Sequence, residues 1–110
     1  MRYQHIFELQ RDHYIGEELQ VRIFYTTNEN TTAISWMTPA QTACKTLPYL
    51  FTQCEDIACR SVAPMQDTPS IKITYDARVI VQDGFTVKMS ANETEPSAYN
   101  STHTAFHFNN

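Results

Sequence analysis

The stretch Ser70–Gln82, SIKITYDARVIVQ, decides the fold because its side chains alternate between apolar and polar with a single interruption. Every second residue from Ile71 to Val81 is apolar, and the residues between them are polar or charged except Ile80. A period of two is typical of a half-buried strand, since successive side chains on a strand point to opposite faces. The stretch therefore predicts one long strand.

A hairpin is predicted directly after this strand. Asp83-Gly84 is a favoured pair for a two-residue turn, and FTVKMSA, residues 85–91, resumes the alternation. Two alternating runs that flank such a turn are typical of an antiparallel hairpin.

The remaining pattern also favours strands over helices. Alternating or strand-like runs occur at residues 2–10, 19–28 and 104–110, whereas clusters of turn-forming polar residues predict loops at 28–32, 38–48 and 92–102. No run shows a sustained helical period. We therefore predict an all-β fold of five or six strands, either an open sheet or a sandwich.

The composition and charge of the chain argue against several classes of function. The chain of 110 residues is the size of one small domain, and its net charge is −4 with the basic residues scattered singly. Nucleic-acid binding requires a basic stripe, so the sequence predicts no nucleic-acid partner. The first twenty residues contain no continuous apolar block, which argues against a signal peptide or membrane anchor and predicts a cytoplasmic protein without a membrane partner.

The three cysteines are Cys44, Cys54 and Cys59. An odd and low count is not typical of a disulfide framework. We therefore interpret all three as free thiols.

The sequence HTAFH, His103–His107, has the histidine spacing of the zinc motif H-E-x-x-H. That motif needs a helix, where residues four apart are neighbours, whereas on a strand the same spacing separates them by about 13 Å. The alternation around Phe106 predicts a strand, and Thr104 replaces the glutamate that would act as general base. We predict no metal ligand and no catalytic residue in this chain.

The block Ile34–Val79 carries a dense set of uncommon residues in a fixed order. They are Trp36, Thr38-Pro39, PYLFTQC at Pro48–Cys54, Cys59-Arg60, Pro64 and QDTPS at Gln66–Ser70. This pattern resembles the N-terminal β domain of the gluzincin zinc aminopeptidases, peptidase family M1, in the leukotriene A(4) hydrolase-like branch.

The resemblance implies that residues 1–110 form part of a saddle-like, multi-sheet N-terminal domain. It also implies that zinc and the hydrolytic residues belong to a thermolysin-like catalytic domain that lies outside this chain and is its partner. The chain alone is then expected to bind no zinc and to be inactive. The alternative is a stand-alone β module that acts as an interaction or structural protein without catalysis.

The resemblance further implies a substrate-binding segment at Gln53, Cys54 and Glu55, with Glu55 holding the free α-amino group of a peptide. Such a cationic amine is well held by a charged acceptor. Glu55 stands where the leukotriene branch usually has glutamine, which favours a peptidase over an epoxide hydrolase. Asp56, where alanine is common, is expected to point to the opposite face of the same strand.

Two further residues of the block receive a structural interpretation. Arg60 is interpreted as an ion-pair partner or loop clamp. Asp67 is interpreted as an acceptor for backbone amides of the QDTPS turn.

Overall fold

The computed structural model describes residues 6 and 8–110. Within these residues, five strands and two short 3-10 turns follow one another, and the all-β fold class is confirmed. The strands are β1 Ile34–Met37, β2 Tyr49–Thr52, β3 Asp76–Gln82, β4 Asn92–Ala98 and β5 His103–Asn109, and the 3-10 turns are Pro39–Gln41 and Cys59–Ser61. Among the described residues, none of the helices has the length and apolar character that crossing a membrane requires.

The first sheet is the antiparallel pair of β1 and β2, in which Trp36 lies opposite Leu50. Residues 38–48 connect the two strands and form a loop, as predicted. Thr42 stabilises this loop, because its hydroxyl oxygen lies 2.8 Å from Pro39 O and 2.9 Å from Leu47 O, and its single proton is shared between these acceptors.

The second sheet has three antiparallel strands in the order β3-β5-β4. The central strand β5 contains most of the buried core, with Ala105 0 %, Phe106 6 % and Phe108 3 % exposed. Because Ala105 and Phe106 are adjacent and point to opposite faces, both faces of β5 are covered.

The predicted alternation of β3 is confirmed from Asp76 to Gln82, where half-buried and exposed residues alternate strictly. The predicted strand is too long, however, since the observed strand begins at Asp76 and the prediction began at Ser70. Asp83-Gly84 does form a turn, with Gly84 at φ +95° and a hydrogen bond from Phe85 N to Gln82 O of 3.3 Å.

The predicted hairpin partner was wrong, because residues 85–89 form no strand. Strand β5 pairs with β3 instead, in a register that sets Val79 opposite Phe106. The backbone amide of Asp83 extends this pairing by donating to Thr102 O at 2.9 Å. Strand β5, which is distant in sequence and has large apolar side chains, thus pairs with β3 in place of the predicted partner, residues 85–91.

Strand β4 lies in the segment that we predicted as a loop from its polar composition. All of its residues are exposed, and its pairing with β5 shifts register between Thr94 and Ser97, around Pro96. An edge strand tolerates proline and charged side chains because one of its sides makes no ladder hydrogen bonds. Composition therefore gave the wrong prediction here.

The predicted strand at 19–28 was also wrong, since these residues form no strand and Val21 and Tyr25 are each 56 % exposed. Of the strand predicted at 2–10, residues 2–5 and 7 lie outside the described residues, and residues 8–10 form no strand. Alternation predicts which face a strand would bury, but a strand also needs a partner for its backbone.

Candidate functional site

The candidate substrate-binding segment begins where β2 ends. Gln53 donates its backbone amide to Ala33 O at 2.8 Å and so extends the β1–β2 pairing by one residue. Ala33 is 1 % exposed, which makes this a buried anchor for the segment. The side chain of Gln53 itself is exposed.

Cys54 and Cys59 form a disulfide, with their Cα atoms 4.6 Å apart. The interpretation of these two residues as free thiols was therefore wrong, whereas Cys44 is a free and exposed thiol. The physical reason is local: residues 55–58 form a turn, closed by a hydrogen bond from Ala58 N to Cys54 O of 2.8 Å, which brings the two cysteines together. The count of cysteines contains no information about such a turn.

Glu55 and Asp56 belong to this turn and not to a strand, and the peptide bond between them is cis. The expectation that the two side chains point to opposite faces of a strand was therefore wrong. Both carboxylates are exposed, and both line the same open cleft.

The cleft has a volume of about 230 Å³. Its lining on one side is formed by Cys54, Glu55 and Asp56, and on the other by the segments 65–69 and 71–73. Of the three predicted substrate-binding residues, Cys54 and Glu55 thus line one surface, and Gln53 does not belong to that surface.

Arg60 and Asp67 connect the two segments that line the cleft. A carboxylate oxygen of Asp67 accepts from the backbone amide of Arg60 at 2.9 Å and from its Nε at 3.3 Å. The side chains are 9 % exposed for Asp67 and 51 % for Arg60. The prediction of an ion pair for Arg60 is confirmed, but Asp67 caps the amide of Arg60 and makes no side-chain bond to the amides of its own turn.

Ser61 is a structural residue that sequence reasoning missed. Its hydroxyl accepts from Ala33 N at 3.2 Å and donates to Ala58 O at 2.7 Å. Both flanks of the turn are consequently attached to Ala33, through Gln53 on one side and Ser61 on the other. A serine among other polar residues gave no signal of this role.

The two histidines of HTAFH lie on strand β5, so the predicted strand at this position is confirmed. His107 Nε2 lies 3.3 Å from the Ser97 hydroxyl, whereas His103 Nδ1 lies 2.8 Å from the Thr102 hydroxyl. Across residues 6 and 8–110, no group of three or more histidine, cysteine, aspartate or glutamate side chains could hold a metal ion. The zinc implied by the resemblance therefore finds no fitting ligand set in the part that the structure describes.

The thiol of Cys44 is the most perturbed titratable group of the β1–β2 loop. Hydrogen bonds from the side chains of Thr42 and Thr46, supported by backbone contacts at Thr46 and Leu47, lower the pKa of Cys44 to about 6. Hydrogen bonds to the charged form of a group favour that form. Cys44 does not line the cleft, so its lowered pKa does not concern the candidate site.

Comparison with known proteins identifies a family that matches nearly the whole chain and relatives that match part of it. Residues 2–110 match the family described as the peptidase M1 N-terminal domain. The chain is 46 % identical over 84 residues to leucine aminopeptidase 2 of Yarrowia lipolytica, which covers 72 % of this chain and 13 % of that protein. It is 45 % identical over 76 residues to leukotriene A-4 hydrolase of Xenopus laevis, covering 69 % of this chain and 12 % of that protein.

A third relative, leucine aminopeptidase 2 of Neurospora crassa, is 47 % identical over 64 residues, which covers 58 % of this chain and 10 % of that protein. The chain thus spans a small fraction of the length of the curated relatives that it matches. The resemblance stated from the motif residues is confirmed at the level of the family.

Proposed function

Because the chain belongs to the peptidase M1 N-terminal domain family, we propose that it lines the substrate cleft of a leukotriene A(4) hydrolase-like zinc aminopeptidase and that Glu55 binds the free α-amino group of a peptide. Its relatives include leucine aminopeptidase 2 and leukotriene A-4 hydrolase, so the family is one of hydrolases. The proposal concerns the substrate and the residue that binds it.

The observation that supports this proposal best is the position of Glu55 on a tethered turn at an open cleft. Its side chain is exposed, and no ion pair among the described residues uses it. A carboxylate that has no cationic partner is able to accept charge-assisted hydrogen bonds from an ammonium group. The anchors at Gln53 and Ser61 fix the flanks of the turn, which reduces the entropy lost when the amine binds.

The hydrolytic residues and the zinc ion belong, in this proposal, to a thermolysin-like domain that is the chain's structural partner. Zinc would polarise the scissile carbonyl and activate water there. The role of the present chain is to hold the amino end of the peptide at a fixed distance from that chemistry. Binding at one end is valuable because orientation of the reacting groups contributes a large part of enzymatic rate enhancement.

The test is Glu55→Gln in the full-length enzyme, since glutamine keeps the shape of the side chain and removes its charge. Loss of one charge-assisted hydrogen bond should cost about 1.5–3 kcal/mol, which corresponds to a roughly ten- to hundredfold lower kcat/KM on free-amine peptides. The loss should appear in KM if the amine is bound equally in the ground and transition states.

Two controls make this test specific. Glu29→Gln removes the same charge from an exposed loop that does not line the cleft, and it should leave kcat/KM unchanged. Acetylation of the substrate amine should erase the difference between wild type and Glu55→Gln. Equal kcat/KM of the two enzymes on free-amine peptides would show that Glu55 is a solvated turn residue.

The assignment of zinc to another domain is tested on the chain of residues 1–110 itself. We expect no tightly bound zinc by elemental analysis after dialysis and no hydrolysis of an aminoacyl reporter substrate. Stoichiometric zinc that His103→Ala abolishes would contradict this assignment.

The alternative of a stand-alone β module is tested by the association state of the chain. Trp36 and Tyr49 in the two-stranded sheet are 66 % and 55 % exposed. A two-stranded sheet with open edges and exposed aromatic side chains is prone to self-association when it lacks a partner. We expect concentration-dependent association by sedimentation, whereas a monodisperse monomer with a sharp cooperative melt would favour the stand-alone module.

A further inference from the structure

The disulfide between Cys54 and Cys59 encloses the four residues of the turn that carries Glu55. We infer that this disulfide is a redox switch: the oxidised form holds Glu55 at the cleft, and reduction releases the turn and weakens binding of the peptide's amino group. This inference rests on the proposed function of Glu55. It adds a means of regulating the same site.

Few other contacts hold the middle of the turn. The side chains of Glu55, Asp56 and Ile57 are exposed, with Ile57 47 % exposed, so no burial fixes their positions. Apart from the disulfide, the closing contact of the turn is the hydrogen bond from Ala58 N to Cys54 O. A single hydrogen bond of this kind contributes little net stability, which allows the turn to open frequently once the disulfide is broken.

The flanks of the turn, in contrast, are held independently of the disulfide. Ala33 accepts the amide of Gln53 through its carbonyl and donates its own amide to the hydroxyl of Ser61. These bonds hold Cys54 and Cys59 near Ala33, the residue before β1, because Gln53 is one position from Cys54 and Ser61 is two positions from Cys59. The two thiols of the reduced form therefore stay close, and the disulfide is able to form again without misfolding.

The sulfur atoms also belong to residues that small reagents can approach, since Cys54 and Cys59 are half-buried and Cys54 lines the open cleft. In reduction, the thiolate of a dithiol attacks one sulfur of the disulfide and forms a mixed disulfide. The second thiol of the reductant then displaces the remaining cysteine. Two electrons and two protons pass to the protein, which gains two thiols, while the dithiol becomes a cyclic disulfide. Oxidation by a small-molecule disulfide reverses this balance.

The experiment uses the full-length enzyme, equilibrated with dithiothreitol or with oxidised glutathione before removal of the reagent. Alkylation followed by mass spectrometry should show both Cys54 and Cys59 alkylated only after reduction. The KM for a free-amine peptide should be about tenfold higher for the reduced enzyme, which is the effect of weakening one charge-assisted hydrogen bond. Reoxidation should restore the lower KM.

Three variants separate this inference from the function on which it rests. Cys59→Ser should show the higher KM in both redox conditions, and Cys44→Ser, which changes the free thiol outside the cleft, should respond as wild type does. Glu55→Gln should have a high KM that no longer depends on the redox condition.

Each outcome decides one of the two proposals. If Glu55→Gln raises KM but reduction of the wild type does not, the switch is wrong and the proposed function stands. If Glu55→Gln leaves KM unchanged, the proposed function fails, and the switch fails with it as a device acting through Glu55. Alkylation of both Cys54 and Cys59 in the enzyme treated with oxidised glutathione would overturn the switch even where Cys59→Ser does not fold.

Discussion

Asp67 holds Arg60 through two groups at once, because one carboxylate oxygen accepts from the backbone amide at 2.9 Å and from Nε at 3.3 Å. This pair joins the CR and QDTPS parts of the family pattern, which lie seven positions apart in sequence. The carboxylate is nearly buried, whereas Arg60 is half exposed. The bond to the backbone amide should therefore contribute more than the ion pair, which solvent screens.

Asp67→Ala should weaken this part of the fold measurably. Removing the acceptor deprives the Arg60 amide of a hydrogen bond to a charged group and should cost about 1.5–3 kcal/mol, so that this amide exchanges with solvent roughly ten- to a hundredfold faster. Arg60→Gln is the matched control, since it removes the exposed guanidinium and keeps the amide bond, and it should cost less than about 1 kcal/mol. An equal effect of the two substitutions on hydrogen exchange would assign the stabilisation to the ion pair.

The small core makes β5 the most sensitive strand of the described fold. Phe106→Ala removes a side chain that is 6 % exposed and should destabilise the chain by about 3–5 kcal/mol. Small domains have a total stability of about 5–15 kcal/mol, so the urea midpoint should fall steeply or the transition disappear. Phe24→Ala, at a position that is 89 % exposed, should change stability by less than about 0.5 kcal/mol. A similar midpoint for both variants would contradict the assignment of the core.

The sequence predicted β3 and β5 well and β4 poorly for one physical reason. Alternation of apolar residues indicates which face of a strand is buried. Val79 of β3 and Phe106 of β5 belong to such alternating patterns and lie opposite each other. Strand β4 buries no side chain and is held by its backbone pairing with β5, which leaves no trace in composition. Its role as an edge strand depends on the tertiary position of β5.

The family pattern led to Gln53, Cys54 and Glu55 but not to their geometry. Cys54 and Glu55 line the cleft whereas Gln53 does not, and the role of the three residues in substrate binding stays a prediction. The disulfide to Cys59, the turn at Glu55 and the anchor at Ser61 depend on local backbone conformation that no periodicity encodes. For the same reason, the prediction of a strand at Glu55 and Asp56 wrongly placed Asp56 on the face opposite to Glu55.

Cys44 should react as a thiolate well below the usual pH range of a cysteine. Because hydrogen bonds from Thr42 and Thr46 lower its pKa to about 6, the thiolate predominates above that pH and the rate of alkylation by iodoacetamide should reach half its maximum near it. Thr42→Val removes the largest of these hydrogen bonds and should move the midpoint toward higher pH. Thr26→Val, in an exposed segment, should leave it in place. A midpoint between pH 8 and 9 for the wild type, the range of an unperturbed cysteine, would contradict this prediction.

Ionic strength should distinguish a direct hydrogen bond to the substrate amine from a nearby charge, such as Asp56, that acts through solvent. Since Asp56 lines the same cleft as Glu55, Asp56→Asn in the full-length enzyme should raise KM for free-amine peptides, although the strand interpretation placed its side chain on the opposite face. The effect should be smaller than that of Glu55→Gln, roughly two- to fivefold, because an exposed charge acting through solvent contributes less than about 1 kcal/mol.

Raising the ionic strength from about 0.01 M to 0.15 M shortens the Debye length from about 30 Å to 8 Å and should reduce the effect of Asp56→Asn. The effect of Glu55→Gln should persist, since a direct hydrogen bond at contact distance is screened much less. Measurement of KM for wild type and both variants across this range of salt provides the comparison. If both variants lose their effect in salt, Glu55 acts only as a distant charge, whereas a salt-resistant effect of Asp56→Asn would make Asp56 a second direct ligand of the amine.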